Sequence, residues 1–176
     1  MTDPTPIEAK MHFAKLGDDL LRDEIARTEG PMSIISFNCD FPAVSKARPR
    51  LGRSGRTYTP KATSDFERAV AWKARAAMAN QPPMTTPCRV EIYALFTPPK
   101  SWPKWKQAAA IRKPYNEQRD VDNQIKSICD AMNEVVYIDD RKIAHVAMER
   151  YYGRMDTFRV TVFPLQGIPQ TKAEVT

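Results

Sequence analysis

Residues 120 to 140 combine one helical repeat with acids gathered at both of its ends, and no other stretch limits the fold as much. From Asp122 to Glu134, Ile125, Ile128, Cys129 and Met132 recur at helical spacing and form one buried stripe. Asp122, Lys126 and Asp130 stand at i, i+4 and i+8, so they share a second stripe beside the first. Asp120 lies just before the helix, and Asp139 and Asp140 follow it in a turn. If residues 120–122 are extended, Val121 points into the core while both carboxylates point the same way. Crowding like charges gains little unless a cation, a basic partner or water offsets the repulsion.

The remaining elements follow from periodicity. Met32 to Asn38 is β-branched and aromatic and reads as a first strand. Residues 41–60, with two glycines, three prolines and five bases, read as an irregular, positively charged loop. A helix is expected from Ser64, with Ser64 and Glu67 as a capping box and Phe66, Ala69, Val70, Ala74, Ala77 and Met78 on its core face. Pro82 and Pro83 stop it. Cys88 to Thr97 reads as a central strand, and Pro103 to Arg112 as a short basic helix carrying Trp105. After the acidic helix come a strand over 142–152, a hairpin turn at Gly153 to Asp156 and a closing strand from Phe158 to Phe163. This order predicts a single α+β domain, a mixed β-sheet with two main helices packed on it. Residues 1–31 read as an appendage with a short helix or a mobile tail, and residues 165–176 as a frayed end.

Charge is distributed unevenly. The net charge is +6, yet residues 46–113 alone hold 15 bases and 3 acids. A block that positive is a plausible polyanion footprint, most often nucleic acid. Lys46, Arg48, Arg50, Arg53 and Arg56 fall in the loop, Lys73 on the long helix, and Lys100 and Lys104 around the short one. A solvated basic surface would carry the same charge. No window approaches the apolar length of a membrane span, and Met1 to Lys15 lacks a secretory apolar segment, so a cytoplasmic protein is expected. Cys39, Cys88 and Cys129 are odd in number and widely spaced, which suits reduced, buried thiols.

Hard divalent cations take oxygen ligands, and Mg²⁺ is commonly held by one or two carboxylates with water and substrate phosphate. Such an ion can activate water for displacement at a phosphodiester, and a lysine such as Lys126 can neutralise the charge that develops. Taken singly, each acid has an ordinary structural explanation, because Asp is a favoured N-cap and Asp-Asp is common in turns.

The pattern Asp120-x-Asp122-Asn123-x-x-Lys126-x-x-x-Asp130-Ala131-Met132, followed by Asp139-Asp140-x-x-Ile143, resembles the signature of RusA-type Holliday junction resolvases. Ser45 to Arg50, Tyr58 to Pro60, Phe96 to Trp102 and Glu149 to Gly153 extend the resemblance over about 34–163, giving an endonuclease domain over 32–164. The resemblance implies a homodimeric, Mg²⁺-dependent endonuclease, with Mn²⁺ as a substitute, that makes paired nicks across a four-way DNA junction or other branched DNA. It implies Asp120, Asp122 and Asp140 as metal ligands and Lys126 as the essential lysine. Asp139 is implied as a secondary acid, and Asp130 as a partner that orients Lys126. No nucleotide cofactor is expected, since the chain has no Gly-rich phosphate cradle. A catalytically silent branched-DNA-binding protein, or a metal-dependent nuclease acting on other nucleic acids, are the alternatives.

Overall fold

The computed structural model describes residues 34–47, 50–51, 57–58, 60–117 and 120–165, with 50–51 and 57–58 by backbone alone. The expected appendage over 1–31 and the tail beyond 165 lie outside these residues. In chain order the elements are β1 (Ile35–Cys39), β2 (Arg50–Leu51), β3 (Thr57–Tyr58), α1 (Lys61–Met78), β4 (Cys88–Phe96), α2 (Lys104–Ala110), α3 (Val121–Met132), β5 (Ile143–Tyr152) and β6 (Thr157–Pro164). A 3-10 turn over Asp140–Lys142 leads into β5. The fold is α+β, as the element order predicts, with α1 and α3 as the two main helices and α2 as the short one.

The main sheet runs β1-β6-β4-β5, antiparallel throughout except for the parallel β4–β5 pair. Strict alternation sends Ile35, Phe37 and Cys39 of β1, Cys88 to Phe96 at every second residue of β4, and Phe158, Val160 and Val162 of β6 into the core. Thr63, Phe66, Val70, Ala74 and Met78 give α1 its buried face, which packs on β1 and on α3. α3 adds Ile128 and Met132 to the same core and reaches β5. α1 and α3 cover the core face of the sheet. The three cysteines are buried, and burial pushes the thiols up to about 12 at Cys39, about 11 at Cys88 and about 12 at Cys129, so they stay protonated at neutral pH.

Four local expectations change. α1 begins at Lys61 rather than near Ser64. Pro60 has the extended φ/ψ of an N-cap residue, its carbonyl accepts from the Thr63 and Ser64 amides, and the Ser64 hydroxyl donates back to the Lys61 carbonyl instead of capping. Val121 does not enter the core; it opens α3 one turn beyond the part that the body covers and stays 38% exposed. The basic loop is not wholly irregular, because β2 and β3 pair as an antiparallel ribbon, Arg50 opposite Tyr58.

Gly153 to Asp156 is not a hairpin turn either, since β4 lies between β5 and β6. The chain crosses the end of β4, a span of two strand spacings or about 9.6 Å. β4 takes the inner position because its inward side chains are apolar along its whole length. Gly153 donates to the Phe96 carbonyl at 2.8 Å, and Asp156 accepts from the amide and hydroxyl of Thr97 at 2.7 and 3.1 Å. A Cβ at Gly153 would stand 2.8 Å from Leu95 Cβ, so the close crossing requires glycine. Among the described residues no helix is long and apolar enough to cross a membrane.

Candidate active site

The first turn of α3 presents its polar side chains to solvent. Asp120 is the N-cap, with φ −64° and ψ 126°, and its carbonyl accepts from the Gln124 amide. Its carboxylate makes no capping bond; Asn123 Nδ2 approaches it at 3.4 Å, a weak contact. Asp122 and Lys126 are exposed one turn apart. The free amides and dipole of a helix N-terminus favour anions there, whether carboxylates or an incoming phosphate. Both Asp120 and Asp122 can therefore turn oxygen atoms outward beside an ammonium.

Gln124 holds this turn in place. It is fully buried on the stripe that continues to Ile128 and Met132. Gln124 Nε2 donates to the Ala43 carbonyl at 3.0 Å, and its Oε1 accepts from Arg150 at 3.2 Å. The Arg150 guanidinium also lies 5.5 Å from the Tyr115 ring centre. Three chain segments thus meet on one side chain. Reading by apolar residues alone missed Gln124, although stepping back four residues from Ile128 lands on it.

Asp130 does not orient Lys126. It pairs with Lys46, whose amide also donates to the Asn123 carbonyl at 2.9 Å. Glu67 Oε1 lies 3.2 Å from the same ammonium as a charge contact without hydrogen-bond alignment. Burial alone would pull the Lys46 ammonium down, but Asp130 and then Glu67 outweigh it and hold it above the ordinary lysine value. Lys46, expected among the phosphate contacts, instead ties the start of the basic segment to α3 and α1.

Asp139 caps the 3-10 turn. Its Oδ1 accepts from the Arg141 amide and Nε at 2.9 and 2.8 Å, and its Oδ2 from the same guanidinium at 2.9 Å. The Arg141 side chain and amide hold its carboxyl well below the usual carboxylate range. Asp140, next to it, is exposed. The two acidic ends do not converge within one chain. Gln124 sits beside Arg150, near the end of β5, whereas Asp140 precedes its first residue, Ile143. Ile143 to Arg150 spans about 23 Å at 3.3 Å per residue. Accordingly, no three His, Cys, Asp or Glu side chains gather as a metal site among the described residues. Asp120 and Asp122 fit a hard cation that keeps several waters.

Of the remaining cations, Lys73 lies 3.3 Å from Asp40. Lys100 and Lys104 are exposed beside α2. Arg48, Arg53 and Arg56 lie outside the described residues, and Arg50 is described by its backbone in β2.

The family described as Endodeoxyribonuclease RusA matches residues 40–163, which takes in the ribbon, all three helices, β4, β5 and nearly all of β6. The chain belongs to the RusA endodeoxyribonuclease family. RusA proteins are crossover junction endodeoxyribonucleases, hydrolases that resolve Holliday junctions and generally depend on a divalent metal. A comparison with curated proteins finds no match. The whole α3 turn described above falls within the RusA match, as do Asp139, Asp140 and the Arg150 anchor.

Proposed function

We propose that this protein resolves Holliday junctions and other branched DNA by paired nicks in recombination and repair, using Mg²⁺ and acting as a homodimer. The observation that carries this reading is the exposed set Asp120, Asp122 and Lys126 at the N-terminal end of α3, in a chain of the RusA family. Asp120 and Asp122 would hold the cation, with Asp140 of a second copy as the third oxygen donor. The ion, when bound, supplies a Lewis acid and a water of lowered pKa. Lys126 offsets the charge that builds on the phosphoryl oxygens, and the free amides of the first turn of α3 add to that field. Asn123 steadies Asp120, and the Gln124–Arg150 contact fixes where the turn stands against the sheet. A two-fold dimer suits a two-fold substrate, since two equivalent turns would meet two equivalent strands.

The test compares an immobile four-way junction with a matching linear duplex, each in Mg²⁺ and in EDTA. Paired nicks on the junction alone, and only with Mg²⁺, are expected. Asp122→Asn should lower the cutting rate by about a thousandfold while junction binding in EDTA holds or tightens slightly. Normal cutting by that variant would remove Asp122 from the ligand set. Binding without cleavage by the unaltered protein, under several metals, would favour the silent junction-binding alternative.

A further inference from the structure

A trough runs between α2 and the crossover from β5 to β6, away from the acidic turn. It consists of two adjoining cavities of about 630 and about 800 Å³ that share Ala108, Ile111, Gly153 and Arg154. Lys100 and Lys104 rim the first and Arg112 the second, with Arg154 between them; no acid lines either. Among the described residues none of these four cations is engaged in an ion pair, whereas Lys46, Lys61, Arg68, Lys73, Arg89 and Arg141 all are. Arg112 is held at φ 67°, a left-handed conformation that costs an L residue energy and that here aims the chain back onto the end of β5.

Beside the cations are flat rings. Tyr93, which lines the trough, is 46% exposed and stacks on Tyr151 at 5.5 Å between ring centres. Trp105 is 73% exposed, one helical turn from Ala108 on α2. The floor between rim and rings is apolar, with Leu95 and Ile111. A duplex keeps its bases stacked inside and shows a protein mainly phosphates and groove edges. A concave apolar floor with open rings and an all-cationic rim instead suits a strand whose bases are splayed, because rings stack on bases while Lys and Arg follow the phosphates.

We propose that this trough binds an unpaired DNA strand, so that branched substrates with a single-stranded segment at the branch are preferred. The inference rests on the branched-DNA reading above. The trough is joined to the acidic turn by the chain itself. Arg112 donates to the Tyr152 carbonyl and Tyr115 to that of Arg150, both at 2.9 Å, and Asp120 follows Arg112 by eight residues. Eight residues span at most about 27 Å, so the trough lies within one duplex turn of the cutting position. An unpaired strand held there leaves the duplex near the scissile bond.

The experiment measures binding of the full chain to oligothymidylate in EDTA by tryptophan fluorescence over a salt series, with a polyglutamate peptide as the rival acidic ligand. Quenching by oligothymidylate that Trp105→Phe abolishes is expected. Arg112→Glu/Arg154→Glu should raise the oligothymidylate Kd about tenfold or more and flatten the log–log salt slope by about 1.4, two phosphates' worth for a single strand. Arg154→Gln, a milder change at an exposed position, should give a smaller shift of the same sign and covers the case in which the double variant folds poorly. Unchanged affinity and slope in these variants would overturn the proposal, and so would quenching by polyglutamate but not by oligothymidylate. Cutting by the unaltered protein separates the two readings. If no branched DNA is cut in Mg²⁺, the enzymatic reading fails; if a fully paired junction is cut as fast as a fork with an unpaired arm, the strand-binding preference fails while the enzymatic reading stands.

Discussion

An ammonium placed between two carboxylates at partial burial gives up much of its hydration, and the bonds it makes decide whether the arrangement stabilises the fold. Lys46 and Asp130 are each about a quarter exposed, 26% and 28%, too buried for solvent to take over if one partner is lost. Asp130→Asn is expected to lower the free energy of unfolding by about 2 kcal/mol, the usual scale for a hydrogen bond to a charged group. Lys46→Met/Asp130→Leu should recover much of that, since the desolvation penalty disappears at both ends. Urea unfolding of the two variants checks this. Equal loss in both would mean that the pair itself, and not the penalty of an unpaired buried ammonium, supplies the stability. The pH window follows from the sign of the shift. Lys46 is raised above its ordinary 10.5, so its contribution is complete below that value and declines only as pH rises through the folded-state pKa. Asp139 is lowered by Arg141, so its contribution holds above the ordinary carboxylate range and fades in acid. Between those limits neither group makes stability depend on pH.

Elements are positioned here by a few close crossings. The crossover after β5 passes the end of β4 so tightly that Gly153→Ala would drive a methyl group into Leu95, at 2.8 Å from its Cβ. The obstacle is a Cβ fixed to the backbone of a central strand and cannot swing aside, so a loss of about 1–3 kcal/mol is expected. Chemical denaturation measures it; a loss under about half a kcal/mol would mean that the crossover shifts freely. Gln124 does comparable work for α3. The apolar stripe sets the rotation of that helix, but the bonds from Gln124 to Ala43 and from Arg150 to Gln124 set its position along the sheet, and with it the place of Asp120 and Asp122.

At the scale of the whole molecule, the acids proposed above for a single reaction stand towards opposite ends of β5 in one chain. If Asp140 serves the acidic turn of a second copy, a mixed dimer of Asp122→Asn and Asp140→Asn chains contains one site lacking both acids and one intact site. Mixing the two inactive proteins should then restore nicking of one strand but not paired cutting. Denaturing gels on a junction labelled on each strand distinguish the cases. No recovery beyond either variant alone would mean that each chain supplies its own complete set.

Residue types and spacing determined much of this protein without any coordinates. Strand alternation, the stripe on α1 and the pattern around Asp120, Asp122, Lys126 and Asp140 are local properties, since a period of two or of 3.6 residues and a short motif are each written within a single segment. Tertiary structure alone decided what depends on residues far apart in sequence. The partner of Lys46 is 84 residues away and that of Gln124 is 81, so composition could show that a cation or an amide was present but not what it would meet. The same holds for the strand order. The turn at Gly153 reads as a hairpin until β4, nearly sixty residues earlier in the chain, takes the place between β5 and β6, because an apolar strand gains most where both of its edges are paired.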